Sequence, residues 1–260
     1  MTSEQIILSS VERQEEIYAL IIREGRVNVA QVCSTFAVSE ATARRDLDIL
    51  AEQGKIQRVH GGAIRIKQAP PEQPIFERSA VQAEEKRRIG RVAANLIKDG
   101  ETIFLGSGST VYEIARNIHD KHDLTIVTNS LLVINELADK EDITLISVGG
   151  ILRKSERSFI GHIAQQSLGE LRADKVFMGI RAISLEQGLT NDYLPETMTD
   201  RAIMGMGSRV IIVADYTKCE RVATAYVAPL ENIDMLITSK ETPSDFIQAL
   251  IDKGINVLLA

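Results

Sequence analysis

Residues 39–47 read Ser39-Glu40-Ala41-Thr42-Ala43-Arg44-Arg45-Asp46-Leu47. Ser39 is a natural helix N-cap, because its hydroxyl can accept from one of the unpaired amides of the next turn. Ala43, Leu47 and Leu50 recur at spacings of four and three and share an inward face, whereas Thr42, Arg44, Arg45 and Asp48 lie off that stripe. Arginine carries a planar fork of donors that fits phosphate oxygens or the O6 and N7 acceptors of guanine. Successive helical residues project about 100° apart, so Arg44 and Arg45 divide the work between a base edge or groove wall and the phosphate backbone, in an order left open. The competing reading is a surface helix whose arginines pair with Asp46, Asp48 or Glu52.

The neighbouring sequence favours a DNA-reading helix. Val11 to Arg23 forms a helix with Ile17, Leu20 and Ile21 on its apolar side and Gly25 as its stop. Asn28 caps a shorter helix holding Val29, Val32, Cys33 and Phe36, and Ala37-Val38 makes the corner of a helix-turn-helix. Gly54 ends the reading helix, and Ile56–Val59 and Ala63–Ile66 are strand candidates joined across His60-Gly61-Gly62, a wing. From Arg44 to Lys67 there are six basic residues (Arg44, Arg45, Lys55, Arg58, Arg65, Lys67) and three acidic ones, in a chain of net charge −6. Phosphate contacts act within about a Debye length, roughly 10 Å, so the acidic remainder does not forbid DNA. The expected contacts to double-stranded DNA are Ser39, Thr42, Arg44, Arg45, Lys55, Arg58 and His60.

Thr42-Ala43-Arg44-Arg45-Asp46-Leu47, then Gly54 and Arg58-Val59-His60-Gly61-Gly62-Ala63, resembles the N-terminal signature of the DeoR family of bacterial transcriptional regulators. The resemblance implies a winged helix-turn-helix that represses genes of sugar metabolism from operator DNA, and a C-terminal domain that senses a phosphorylated metabolite.

After about 65 residues for the DNA module, nearly 190 of the 260 remain, enough for one large α/β domain. Apolar content of 44% and charged content of 25% are those of a globular protein. Cys33 and Cys219 provide no disulfide framework or Cys-x-x-Cys site and read as small hydrophobes in a reducing compartment. With no leader-like N-terminus and no apolar run approaching ~18 residues, a cytoplasmic protein without membrane contact is expected. The proline-bearing stretch Lys67 to Pro74 reads as a linker. The expected organisation is therefore 1–67 DNA-binding, 68–74 linker and 75–260 sensor.

Beyond the linker, Glu84–Lys98 is an amphipathic helix, and Thr102–Leu105 is a strand leading into Gly106-Ser107-Gly108-Ser109-Thr110 and a helix to about Ile118. Strand, glycine-rich turn and helix make a phosphate cradle: glycines allow close backbone approach, the helix N-terminus offers free amides, and the hydroxyls add donors. Short apolar runs follow at Leu124–Thr128, Ile143–Val148, Lys175–Met178, Val210–Ala214, Met235–Thr238 and Asn256–Leu259, mostly separated by helix-length segments. A largely parallel sheet with helices on both faces is the economical fold, with ligands beyond the C-terminal strand ends. A dinucleotide fingerprint would need glycine where Val111 stands and an acid near Thr128-Asn129, and a triphosphate loop would need Gly-Lys-Ser/Thr, which is absent. A purely structural strand-to-helix turn remains the other alternative.

The second domain resembles the sensor half of DeoR regulators, a fold related to ribose-5-phosphate isomerase and glucosamine-6-phosphate deaminase. The matching positions are Thr128-Asn129, Gly149-Gly150 with Arg153, Gly161, Ala173-Asp174-Lys175, Gly188-Leu189-Thr190, Glu196, Arg201, Ala214-Asp215 and Lys218. The resemblance implies an effector site at Gly106, Ser107, Gly108, Ser109 and Thr110 for phosphate, with Asn129, Gly149, Gly150 and Arg153 around it and Glu196 and Lys218 contacting the sugar. As alternatives, Glu196 is a first-turn helix acid and Lys218 a surface lysine. Gly106 stands where relatives carry Asp, and Gly179-Ile180-Arg181-Ala182 where family and enzymes alike show Gly-Ala-Asp. Isomerase chemistry needs a carboxylate poised between adjacent carbons. Asp192, Glu196 and Lys218 are candidates, but the missing acid near Gly179 favours a regulator over an enzyme. No cofactor is expected, and His119 and His122 lack a third metal ligand. The expected regulator binds DNA as a dimer or higher oligomer, and ligand in the cradle misplaces its paired reading helices. A nucleotide or cofactor sensor is the other reading.

Overall fold

The Ser9 hydroxyl accepts from the Glu12 amide at 3.3 Å while the Glu12 carboxylate accepts from the Ser9 amide at 2.9 Å, a reciprocal cap that starts α1 (Ser10–Glu24). The computed structural model describes residues 8–260 and divides between Lys67 and Gln68 into two units. In the smaller unit α1 stops at Gly25, which takes the left-handed conformation. It is followed by β1 (Arg26–Asn28), α2 (Val29–Phe36), α3 (Glu40–Glu52) and the hairpin β2 (Ile56–Val59) and β3 (Gly62–Arg65). Asn28 caps α2 and Ser39 caps α3 through side-chain oxygens. Ile17, Ile21, Val32, Ala43, Leu47, Leu50 and Ile56 form the core.

The strand β1 was not anticipated; it pairs antiparallel with β3, so the wing is three-stranded. Gly62 makes that pairing possible, because a Cβ there would lie 2.1 Å from the Val27 carbonyl oxygen.

The larger unit opens with α4 (Ile75–Ala80) and α5 (Ala83–Ala94), then β4 (Thr102–Leu105), α6 (Ser109–Arg116), β5 (Leu124–Thr128), α7 (Leu131–Leu137) and β6 (Ile143–Ser147). A hairpin, β7 (Ile151–Arg153) and β8 (Ser158–Ile160), leads to α8 (His162–Gly169), β9 (Lys175–Gly179), β10 (Ala182–Ser184) and β11 (Gly188–Asn191). The chain closes with α9 (Leu194–Met206), β12 (Val210–Ala214), β13 (Ala225–Ala228), β14 (Met235–Thr238), α10 (Ser244–Asp252) and β15 (Asn256–Leu259).

Seven strands form one sheet in the order β15-β14-β12-β9-β4-β5-β6, with every pairing parallel. Phe104, Val176, Ile212 and Leu236 face a core shared with α8, α9 and α10, whereas Ile103, Leu105, Ile211, Val213 and Ile237 face α5, α6 and α7. Burial on both faces is why these strands read as unbroken apolar runs. The chain builds β4 to β6 outward and returns to place β9 on the other flank of β4, so the strand order reverses between β4 and β9. Two smaller antiparallel sheets, β10-β11-β13 and β7-β8, were not anticipated.

Residues 68–74, expected as a linker, make contacts within the larger unit. The Ala69 amide donates to Val222 O at 2.8 Å, Pro70 O accepts from Arg181, and the Glu72 carboxylate accepts from Arg78 and Arg153. Among the described residues no helix is long and apolar enough to cross a membrane.

Candidate nucleic-acid interface and ligand pocket

In the smaller unit the outer side of α3 carries the expected arginines. Ser39 Oγ accepts from the Thr42 amide at 3.2 Å and lies 2.9 Å from the Thr42 hydroxyl. Arg44 is half exposed and pairs with Glu40 one turn earlier (Nε to Oε1, 3.0 Å), not with the acids suggested by the sequence. Arg45 is exposed, with no ion pair among the described residues. Exposed pairs of the Arg44 type contribute about 0.2–1 kcal/mol and yield readily to a phosphate.

Arg58 donates to Asp48 at 2.8 Å and to Gly62 O, bracing the wing against α3. Lys55 lies 5.9 Å from the Tyr18 ring centroid, and His60 is exposed in the wing turn. Asp46 differs most from expectation, being buried on the inner side of α3 against α1. The sequence alone did not single out its partners Arg13 and Gln14, whose spacing from Asp46 spans two helices.

In the larger unit a pocket opens over the C-terminal ends of β4, β9 and β12, the place where strand order reverses. Its floor is Gly106 to Thr110. Gly108, at φ +113, lets the chain turn into α6 and provides no capping side chain, so the first-turn amides point outward. Ser109 and Thr110 are buried. A Cβ on Gly106 would meet Phe177 O at 3.4 Å, ordinary contact, so the absent acid is not enforced by crowding.

Two lysines border the pocket. Lys86 is buried, and its Nζ donates to the carbonyls of Arg78 (2.5 Å) and Val81 (2.6 Å), leaving one of its three donors for a ligand. Burial pulls its pKa down to about 8 despite attraction from Asp215. Lys218 is lowered by burial as well, and no carboxylate among the described residues pairs with it.

Opposite stands a carboxylate cluster. Arg78 donates to Glu72 at 3.1 Å and Glu156 at 2.5 Å, and Arg153 pairs with Glu72 and Glu196. Asp200 is buried and accepts from Asn191 at 2.6 Å. Burial raises the Glu156 carboxyl to about 7 against the pull of Arg78, and burial together with Glu196 pushes Asp200 well above the carboxylate range.

Four expected positions do not line this pocket: Asn129, Gly149, Gly150 and Arg153. Asn129 follows β5 and donates to Phe159 O at 3.1 Å. Gly149 and Gly150 follow β6, and a Cβ on Gly150 would stand 2.6 Å from Ile160 O, so that glycine serves close packing on β8. Both strands lie outward of β4 on the flank away from β9. Arg153 acts behind the pocket wall, through Glu72 and Glu196, with Tyr193 stacked 4.5 Å from its guanidinium.

Sequence reading missed Glu72, Arg78, Lys86, Glu156, Asn191 and Asp200, and Arg181 was noted only as a departure. A signal existed for two of them. Lys86 occupies the apolar-face slot three before Ile89 and seven before Ala93, and Asp200 shares a face with Glu196 and Ile203. Among the described residues no group of three or more His, Cys, Asp or Glu is arranged to hold a metal.

The DeoR-like helix-turn-helix domain family matches residues 13–69, and the DeoR C-terminal sensor domain family matches residues 81–240. The putative aga operon transcriptional repressor of Escherichia coli O157:H7 is 32% identical over 260 residues, covering 99% of this chain and 97% of its own. The glycerol-3-phosphate regulon repressor of Escherichia coli K12 is 34% identical over 252 residues, covering 97% and 100%. Among solved structures, ribose 5-phosphate isomerase A from Methanocaldococcus jannaschii aligns over 53% of this chain and 54% of its own at 17% identity and a TM-score of 0.40. The sorbitol operon regulator SorC from Klebsiella pneumoniae aligns over 94% and 99% at 12% identity and a TM-score of 0.41. Its two domains and its full-length relatives place this chain in the DeoR family of DNA-binding transcriptional regulators, not among enzymes.

Proposed function

We propose that the chain is a repressor of a carbohydrate operon whose grip on operator DNA is modulated by a phosphorylated sugar or sugar derivative bound in the larger unit. The observation that carries this reading is the pocket floor, where uncapped first-turn amides, the Ser109 and Thr110 hydroxyls and the spare donors of Lys86 and Lys218 converge. Free amides at a helix N-terminus with adjacent cations suit a phosphate. The facing Glu196, Asp200 and Asn191 suit hydroxyl or amino groups of the attached sugar. On this reading Ser107 to Thr110 hold the phosphate, Glu196 meets the sugar, and Lys218, expected at the sugar, is placed with the phosphate instead.

Operator contact is assigned to Thr42, Arg44 and Arg45 on α3, with Lys55 and His60 at the wing. Assembly into a dimer or higher oligomer is supported by the exposed apolar residues Ile151, Leu194 and Met198 of the larger unit. Control requires the ligand to bind the DNA-competent and DNA-incompetent arrangements unequally, typically by ~1–3 kcal/mol. Binding to DNA upstream of the operon, measured with and without a panel of sugar phosphates, tests this. A shift with at least one of them is expected, and indifference to all of them removes the sensor assignment.

A further inference from the structure

Glu72 is the only carboxylate in residues 68–74, the stretch that leads directly into the smaller unit at Lys67. Its Oε1 accepts from Arg78 at 3.1 Å and its Oε2 from Arg153. Beyond Gln68, which bridges to Val222 and whose carbonyl accepts from Arg221 at 3.3 Å, the rest of the stretch has few ties. Ala69 donates to Val222 O at 2.8 Å, Pro70 O accepts from Arg181, and Pro70, Pro71, Gln73 and Pro74 are exposed. Glu72, Arg78 and Arg181 all line the pocket.

The cluster is overfilled with carboxylates. Arg78 is shared by Glu72 and Glu156, and Arg153 by Glu72 and Glu196. Removing Glu156 or Glu196 from its arginine would strand a buried charge. Glu72 can leave with Arg78 still paired to Glu156 and Arg153 to Glu196, and the exposed chain carrying it can rehydrate it. Arg78 also borders the cationic side, since it lines the pocket with Lys86 and Lys218 and its carbonyl accepts from Lys86 at 2.5 Å. An anion seated on the pocket floor therefore competes with Glu72 for Arg78.

We propose that Glu72 is a displaceable latch: an anionic ligand entering the pocket draws Arg78 away from it, Arg153 alone, already paired with Glu196, does not hold it, and residues 68–74 come free. The latch rests on the reading of the pocket as a phosphorylated-ligand site. Seven freed residues can span up to about 23–25 Å, and a longer tether lowers the effective concentration at which a linked DNA-binding unit meets its site.

Hydrogen exchange over residues 68–75 of the full chain, without ligand and with inorganic phosphate, tests the latch, with Glu72→Gln as the variant and the exposed Glu77→Gln as control. Phosphate should speed exchange of the Ala69 amide, which donates to Val222 O, about tenfold in the wild type. Glu72→Gln should exchange at that rate without phosphate and, relieved of the competing carboxylate, bind phosphate about threefold or more tighter by calorimetry. Glu77→Gln should match the wild type in both, and thermal melts of each variant confirm the fold. Phosphate that binds the wild type but leaves exchange unchanged overturns the latch, as does a folded Glu72→Gln that exchanges like the wild type. Failure of phosphate to bind either protein overturns the reading of the pocket itself.

Discussion

Arg13 of α1 donates to Asp46 of α3 through Nε at 2.6 Å and through Nη2 at 3.3 Å, and Gln14 adds a third donor at 2.9 Å. With both charged side chains largely buried, this fork pins the reading helix to the first helix, and Arg45 borders the same cleft as Arg13, Gln14 and Asp46. Asp46→Ala would leave Arg13 buried and unpaired, a loss of about 3 kcal/mol. For a unit of under 70 residues that lowers its melting temperature by roughly 10 °C or more, while ligand binding in the larger unit is unchanged. A melt followed by circular dichroism, beside calorimetry with phosphate, checks both.

Arg44 and Arg45 differ in what they must surrender to reach DNA. Arg45→Ala should weaken operator binding by about 1–3 kcal/mol if it reads a base and reduce the salt slope by about one if it meets phosphate. Arg44 must first leave Glu40, so Glu40→Ala should leave operator affinity unchanged or raise it, whereas Arg44→Ala lowers it. Salt-dependent binding isotherms separate these outcomes. If neither arginine matters, α3 is not the reading helix.

Much of this architecture is legible in the sequence because its signals are local. Ser39 and Asn28 announce helix starts through side chains that cap them, and runs such as Val210 to Ala214 are apolar throughout because both faces are covered. The three-residue strands β1, β7 and β10 are too short to show an alternation, and the partner of β1 lies far along the chain in β3. The same limit explains Asn129, Gly149 and Gly150. Their position after a strand places them on the correct rim, but strand order decides which loops meet at the reversal point, and no short-range pattern encodes it. Lys86 and Asp200 were obscured for another reason: a charged residue in an apolar slot says little until its buried partners are known.

Gly108 and Gly149 make opposite predictions. Gly108 sits at φ +113 and ψ 150, a region open almost only to glycine, so Gly108→Ala carries about 1–3 kcal/mol of strain at the pocket floor and should lower phosphate affinity tenfold or more. Gly149 has no positive φ, a Cβ added to it would meet nothing within 4 Å, and it lies outside the pocket. Gly149→Ala should bind phosphate like the wild type. Equal losses in the two variants would return the site to the β5 and β6 loops.

Glu156 titrates near 7 in the folded protein because burial raises it from an ordinary 4.5. Between those values the folded state holds more protons than the unfolded chain, so stability falls as pH rises. The contribution is fully present below about 4.5 and lost by about 7, amounting to at most about 3 kcal/mol for this group. Asp200 and Glu196, also raised by burial, act in the same direction. Urea denaturation of the larger unit at stepped pH should show this decline, and Glu156→Gln should flatten it.

Lys86 gives ligand binding a pH limit of its own. Phosphate only becomes more negative as pH rises, so any loss of affinity above about 7.5 belongs to the protein. The Lys86 amine loses its proton around 8, because burial outweighs the pull of Asp215. The neutral amine has only two donors, both engaged by the carbonyls of Arg78 and Val81, so it loses its charge and the donor left for a ligand, and affinity for inorganic phosphate should fall about tenfold between pH 7.5 and 9. Lys86→Arg holds its charge throughout that range. In calorimetry its affinity should be flatter with pH than that of the wild type, the remaining slope reporting Lys218, whose pKa burial also lowers. A Lys86→Arg protein that binds phosphate with the full wild-type slope would remove Lys86 from the anion site.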